Sequence, residues 1–466
     1  MTDWLKAAES QKKDYLTDLI SLMKIPSVRD DDEATDEYPL GPRPAQALKA
    51  FLEMADQDGF KTKNIDNVVG YAECGTGDDT LAILAHVDVM PAGKGWDTDP
   101  FDPVIKDGNL YGRGASDDKG PGMAAYYALK YLKDQGTKFN KRVRFIVGTD
   151  EESNWTGMHR YFEVEPAPTF GFSPDAEFPV INGEKGQVSL LLSVPASNDG
   201  AFQLKSFKSG LRFNMVPREA VAVITVADNQ QIRDDFARFV GENPISGNIA
   251  ENGDELTITV IGKAAHGMEP EKGINAGTYL ANFLDQYEFA KGAKSFIHFL
   301  GKYLHLDTRM GGFDGAFTDP VMGELTMNAG ILNFDLENGG AINMNFRFPK
   351  GISPDQLQTT VEKVATPLGI TVKQGPAQAP HYVDPDDPIV KTLMEAYINQ
   401  SGDKNAQPEV VGGGTYGRLM KRGVAFGALM PNTPNTMHQA NEYQPVDDLI
   451  KSMAIYMEAI KNLVSD

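Results

Sequence analysis

A chain of 466 residues is too long for one hydrophobic core, so two or three domains are expected, and 41% hydrophobic with 23% charged residues is ordinary globular composition. Its 65 acidic against 44 basic residues leave a formal net charge of -21, which argues against nucleic-acid and membrane-surface partners because such a surface repels phosphate. A single cysteine, Cys74, excludes an internal disulfide and a thiolate metal cluster.

The N-terminus, MTDWLKAAESQKKDYL, carries charge where a signal peptide needs an apolar core, and no apolar run approaches membrane-spanning length. A cytoplasmic protein is expected. The first 25 residues read as an amphipathic helix, with Trp4, Leu5, Tyr15, Leu16, Leu19, Ile20 and Met23 at helical spacing and Pro26 closing it. A second helix follows GPRP, with Leu48, Phe51, Leu52 and Met54 on its apolar side. TLAILAHVDV (80–89) is almost continuously apolar, as a strand covered on both faces should be. PGMAAYYALKYLKDQG (121–136) is a helix with Pro near its first turn and Gly past its end. KRVRFIVGTD (141–150) is a further buried strand. This alternation predicts an α/β domain with a largely parallel sheet flanked by helices.

From about residue 186 the pattern changes. EAVAVITVAD, DELTITVIGKA, ILNFDL and GGAINMNFRFP alternate like half-exposed antiparallel strands, between helices such as INAGTYLANFLDQY and SPDQLQTTVEKVATPLG. Near residue 379 the first texture returns, and the chain finishes in a long amphipathic helix bearing Leu449, Ile450, Met453, Met457, Ile460 and Leu463. The expected organisation is a catalytic domain of residues 1–185 and 379–466, interrupted by an inserted α+β lid domain of residues 186–378, built of two halves.

Candidate metal ligands stand at predicted strand ends or in loops. They are His86 and Asp88 in AHVDV, Asp117 and Asp118 in GASDDKG, the acids Asp150, Glu151 and Glu152 in TDEES, Asp175 in SPDAEF, and His438 in NTPNTMHQANEY. In a parallel sheet such groups gather at the carboxyl ends of the strands. Mixed imidazole and carboxylate donors suit Zn²⁺, Mn²⁺ or Co²⁺ better than Ca²⁺ or Mg²⁺. The His86-x-Asp88 pair fits a ligand histidine held through its other nitrogen. Taken singly, each segment has a bland reading: a polar loop contact, a solvated corner, or acids favouring a helix N-terminus. Together and in this order they are far more specific.

At these residues the chain resembles the co-catalytic zinc peptidases that include aminoacylase, carnosinase and succinyl-diaminopimelate desuccinylase. The resemblance runs nearly end to end through LMKIPSV, AHVDVMPAG, GWDTDPFDP, LYGRGASDDKGP, GTDEESNWTG, FSPDAEFPVINGEKG and HQANEY; RFNMVP, FRFP and the long insert are similar in particular to the bacterial dipeptidase V branch. It implies that His86 and Asp175 bind one divalent ion and Glu152 and His438 another. Asp117 bridges them, its peptide bond to Asp118 cis, and Asp88 orients His86. Zn²⁺ is the expected ion, Mn²⁺ and Co²⁺ the alternatives. Two such ions activate a water. The water must lose a proton and the leaving amine gain one, and Glu151, free of metal, is the chosen base and then acid. Asp150 supports the loop.

His266, in GKAAHGMEPEKGINAG, reads locally as a surface histidine; the resemblance makes it a lid residue that stabilises the oxyanion, assisted by Asn214. Arg347 would pair with the substrate carboxylate, for which its planar fork is suited. VVGGGTYGRLM (410–420) reads as a flexible loop and a helix start, with Gly413, Gly414 and Thr415 offering backbone N–H groups to the same carboxylate. It lacks the lysine of a nucleotide loop. His159, His298, His305 and His381 fall outside any motif and read as structural. The long insert resembles the monomeric branch, so a monomer is expected. The leading expectation is a metal-dependent dipeptidase acting on unmodified dipeptides with a free N-terminus. The alternatives are an N-acyl amino-acid deacylase or desuccinylase on the same centre, and a metal-dependent binding protein that has lost catalysis.

Overall fold

The computed structural model describes residues 2–196, 202–226, 230–289 and 291–465. The chain divides into two compact units, one of Met1–Gly183, Tyr382–Glu409 and Gly414–Asp466, the other of Glu184–His381 with Val410–Gly413. The last segment differs from the sequence reading, which ran the first domain unbroken from residue 379.

The first unit is built on a mixed sheet whose centre is parallel. Arg142–Gly148, Thr80–His86, Phe170–Ser173 and Gly423–Ala425 lie side by side and all parallel. Lys61–Ile65 and Val69–Gly75 extend one side antiparallel, and Ala425 pairs antiparallel with Ile181 on the other. The sheet is therefore less uniformly parallel than the βαβ rhythm predicts. The antiparallel pair Lys61–Ile65 and Val69–Gly75 is joined by a short turn with Asp66 and Asn67 at positive φ, which spares it a crossover helix.

Every residue of Thr80–His86 is buried, as its unbroken apolar run requires. One face is covered by the helices Trp4–Met23, Lys119–Asp134 and Val446–Val464. The last of these buries Leu449, Ile450, Met453, Met457 and Ile460 completely, each contributing about 1.5–3 kcal/mol. Tyr456 on it stacks on Phe172 of the sheet at 5.7 Å. Lys119, itself buried, donates to the carbonyls of Leu22 and Ile25 at 3.1 and 2.8 Å, adding a side-chain donor to acceptors that the backbone N–H groups of Ile25 and Ser27 also reach.

The second unit holds a continuous antiparallel sheet of eight strands among the described residues. Their order is Ser246–Asn252, Glu255–Ile261, Glu219–Thr225, Gln203–Ser209, Thr326–Asp335, Gly339–Phe348, Gly186–Val194, Thr371–Gln378. The pairing of Gln203–Ser209 with Thr326–Asp335 joins its two groups of strands into one sheet. Burial in Glu219–Thr225 and Glu255–Ile261 alternates residue by residue, so one face packs on the helices Ala276–Leu284, Lys291–His298 and Pro354–Ala365. Among the described residues no helix is long and apolar enough to cross a membrane.

Candidate metal centre

Three parallel strands bring their carboxyl ends to one edge of the first unit. His86 closes Thr80–His86 opposite Gly148, the last residue of Arg142–Gly148; Asp150, Glu151 and Glu152 follow that strand, and Asp175 follows Phe170–Ser173. Asp117 stands just before the helix Lys119–Asp134, in a cis peptide bond with its N-cap Asp118. His438 lies between the strand Ala428–Leu429 and Tyr443–Pro445, with φ 64°.

The side chains converge. His86 Nε2 is 3.1 Å from Asp117 Oδ1 and 3.6 Å from Asp175 Oδ2. His438 Nε2 is 2.8 Å from Asp117 Oδ2 and 3.0 Å from Glu152 Oε1. Two sets with donor atoms within 4.8 Å of one another result: His86, Glu151 and Asp175, and Asp117, Glu152 and His438. Asp117 belongs to the second set and touches the histidine of the first through its other oxygen. Glu151, read from sequence as touching no metal, is itself a member of the first set.

Asp88 meets His86 through both its backbone and its side chain. Its backbone carbonyl is the nearer partner of His86 Nδ1, at 3.0 Å, while its carboxylate lies 3.4 Å away. That carboxylate accepts the N–H groups of Glu151 and Glu152 at 3.1 and 3.2 Å, so it fixes the acidic loop as well as the imidazole. Asp150 supports the loop from behind, accepting from Thr156 N and Gly157 N at 3.0 and 3.3 Å and from Arg29 at 3.3 Å.

So many acids gathered together, some buried and some half-buried, disfavour their own ionisation. Burial, then the charge of Asp175, pushes Glu151 well above the usual carboxylate range. Burial and Asp117 push Glu152 up to about 7, and burial also raises Asp175 and Asp118. Against burial, hydrogen bonds to Asp117 and Glu152 raise His438 to about 11. Asp117 is held low by both histidines although burial opposes it. A bound cation would offset the cost of ionising these acids.

Two buried residues here escape sequence reasoning. Glu442, fully buried, accepts from Arg113 Nη1 at 2.6 Å and from the backbone N–H groups of Gly114, Ser116 and Asp117 at 3.1, 2.9 and 3.2 Å. Both lie inside motifs singled out by sequence, LYGRGASDDKGP and HQANEY, but their partners are mostly backbone groups and leave no side-chain pattern.

In the second unit, Asn214 and His266 lie on adjacent stretches. Met215 and His266 form an antiparallel bridge, the Asn214 carbonyl accepts Gly267 N–H at 2.7 Å, and His266 Nδ1 accepts Met268 N–H at 3.2 Å. Asn328, buried and also missed, donates to the carbonyls of Phe213 and Met215 and so pins Asn214 from both sides. Arg347 is buried and donates to the Gly412 carbonyl at 2.9 Å. A Cβ at Gly412 would meet Met268 at 2.7 Å, so that glycine lets the His266 loop approach the Arg347 segment closely. Gly413 belongs to this unit and Gly414 and Thr415 to the first. The expected helix after them is a 3₁₀ turn of four residues, Tyr416–Leu419, and Thr415 Oγ1 itself accepts Gly417 N–H at 3.2 Å. Its short span follows from Met420 returning to extended backbone at ψ 139°.

The remaining histidines are placed apart. His298 pairs with Asp285 at 3.0 Å, and His305 packs edge-on against Tyr279, its pKa lowered to about 4 by burial.

The model of peptidase family M20/M25/M40 matches residues 82–462. Over 468 residues the chain is 42% identical to a Staphylococcus saprophyticus protein named "Putative dipeptidase", with 99% of each covered. Its fold is similar to that of human carnosine dipeptidase 1, with a TM-score of 0.57, 13% identity and 98% of each chain covered. It is also similar to a dinuclear metal-binding M20 peptidase of Bacillus subtilis, with a TM-score of 0.51, 11% identity, and 98% of this chain and 99% of that one covered. The motifs, the parallel strand ends that carry them and these matches lead to one conclusion: the chain belongs to peptidase family M20/M25/M40.

Proposed function

We propose that the protein is a metal-dependent dipeptidase that hydrolyses unmodified dipeptides with a free N-terminus. The observation that carries this reading is the pair of imidazole–carboxylate sets joined through Asp117, with Glu151 in the first of them. The relative named as a dipeptidase supports the substrate class. The donor set fits two divalent cations, since buried acids of this number need positive charge to stay ionised. His86 and Asp175 would hold one, Glu152 and His438 the other, and Asp117 both, with Zn²⁺ expected and Mn²⁺ or Co²⁺ as alternatives. When bound, the pair supplies charge that acidifies water and polarises the scissile carbonyl.

Glu151 takes the proton of the attacking water and returns it to the leaving amine, a role suited to a carboxylate whose proton affinity burial raises. Asp88 keeps that carboxyl in place through the Glu151 backbone. From the second unit, His266 and Asn214 stabilise the oxyanion, and Arg347, with the Gly413–Thr415 stretch, receives the C-terminal carboxylate. The active species is a monomer of 50.9 kDa. Light scattering that finds a concentration-independent dimer counts against that assembly.

The test is removal of metal, then add-back of Zn²⁺, Mn²⁺ and Co²⁺ while hydrolysis of dipeptides and N-acyl amino acids is compared. Dipeptides are expected to be turned over faster with restored metal. A clear preference for N-acyl amino acids would make the protein a deacylase, and no turnover of either class would sink the enzymatic reading.

A further inference from the structure

Glu442 stands four residues after His438, and its carboxylate is spent on the segment that carries Asp117. One oxygen, Oε1, accepts three backbone N–H groups, from Gly114, Ser116 and Asp117. The other accepts from Arg113 at 2.6 Å. Gly114, at φ +88° and with Lys119 packed against it, has the backbone conformation that lets these successive N–H groups turn toward one point. Arg113 is itself buried, donates to the Pro91 carbonyl at 3.2 Å and lies 5.3 Å over the Trp96 ring. The neighbouring Asn441 binds Asp97 twice, at 2.8 and 3.1 Å, and Gly112 N–H reaches the Glu442 carbonyl at 3.0 Å.

His438 needs this support. It sits at positive φ, as does Asn441, in a loop without regular structure between Leu429 and Tyr443. The loop closes on itself through Thr436 Oγ1, which donates to the Tyr443 carbonyl and accepts the Tyr443 N–H, each at 3.1 Å, and those bonds do not reach the Asp117 segment. Among the described residues, two buried side chains tie the stretch after His438 to the Asp117 segment: Glu442, through four donors, and Gln444, which accepts from Ser116 Oγ at 3.2 Å.

We propose that Glu442, anchored by Arg113, is a positioning residue that sets the reach of His438 to Asp117 and so completes the second cation site. The inference rests on the reading of the cluster as a two-cation centre. A carboxylate buried with four donors has no freedom to drift, and its rigidity passes to both ligands through a few covalent bonds.

The experiment titrates the metal-free full-length protein with Co²⁺, following its visible absorption and the heat of binding, for wild type, Glu442→Asp and Glu442→Ala. The melting temperature of each metal-free protein is measured alongside. Glu442→Asp keeps the charge but withdraws the carboxylate by one methylene from Arg113 and the three N–H groups. It is expected to weaken the second Co²⁺ about tenfold or more and to change its spectrum, with the first site affected less. Glu442→Ala is expected to do the same more strongly. A role confined to folding would lower the metal-free melting temperature and leave Co²⁺ affinity alone. Two variants that take up both ions with wild-type affinity and spectrum would overturn the inference. Where Glu442→Ala does not fold, Glu442→Asp decides by itself. Wild type binding fewer than two Co²⁺ would instead overturn the two-cation reading beneath it.

Discussion

His438 Nε2 lies 2.8 Å from Asp117 Oδ2, and the opposite oxygen of the same carboxylate lies 3.1 Å from His86 Nε2. One acid thus stands between two imidazoles from segments far apart in the chain. The expected consequence is that Asp117→Asn impairs both cations together, whereas Asp175→Asn impairs one. Elemental analysis after dialysis against dilute metal reads the difference. Two ions retained by Asp117→Asn at wild-type affinity would remove Asp117 from the shared position.

Glu151 and Glu152 are adjacent, and Asp88 holds both backbone N–H groups, yet their carboxyls are proposed to do different work. Glu151→Gln keeps size and loses the proton carrier, so it is expected to bind two metals with most turnover gone, a loss on the order of a hundredfold or more. Glu152→Gln is expected to weaken metal occupancy first. Near-normal turnover by metal-loaded Glu151→Gln would take that residue out of the chemistry.

Metal uptake should release protons. Burial holds Glu152 near about 7, and its hydrogen bonds hold His438 protonated up to about 11, so at neutral pH the metal-free cluster carries protons where a cation must bind. The sign follows: protonated forms offer no lone pair, so raising the pH through about 7 increases apparent affinity, and His438 extends the rise beyond it. Calorimetry in buffers of different ionisation heat gives the number released. An affinity independent of pH would contradict the protonation pattern.

His266 and Arg347 are expected to separate kinetically. His266→Ala removes a donor needed when negative charge develops, so kcat should fall on the order of a hundredfold or more with both metals retained. Arg347→Ala should raise KM substantially and also lower kcat by misplacing the peptide. Its loss also frees the Gly412 carbonyl, so loosening of that segment should appear in hydrogen exchange. An unchanged kcat for His266→Ala would place that residue outside the chemistry.

Gly148 closes the strand that leads into the acidic loop, and a Cβ there would press into the Tyr416 ring at 2.9 Å. Gly148→Ala is therefore expected to destabilise by about 1–3 kcal/mol, with reduced turnover because Tyr416 or the loop must move. Thermal unfolding checks it. A melting temperature equal to wild type would mean that the ring yields without strain.

Much of the centre could be read before any folding was known, because its signals are local. The apolar run ending in His86, the acids after Arg142–Gly148 and the helix begun by Lys119 each announce an element and its end in a few neighbouring residues. The alternating strands of the second unit are likewise written in period two. Tertiary structure decided what depends on distance and on backbone. It set the antiparallel strands beside the parallel centre, grouped Val410–Gly413 with the second unit, and reduced the turn after Thr415 to four residues. It also divided Asp88 between an imidazole and two N–H groups, and gave Glu442 and Arg113 their place. Periodicity records which face of an element is buried; it carries no trace of a carboxylate satisfied by the backbone of another segment, since every residue type has the same N–H to offer.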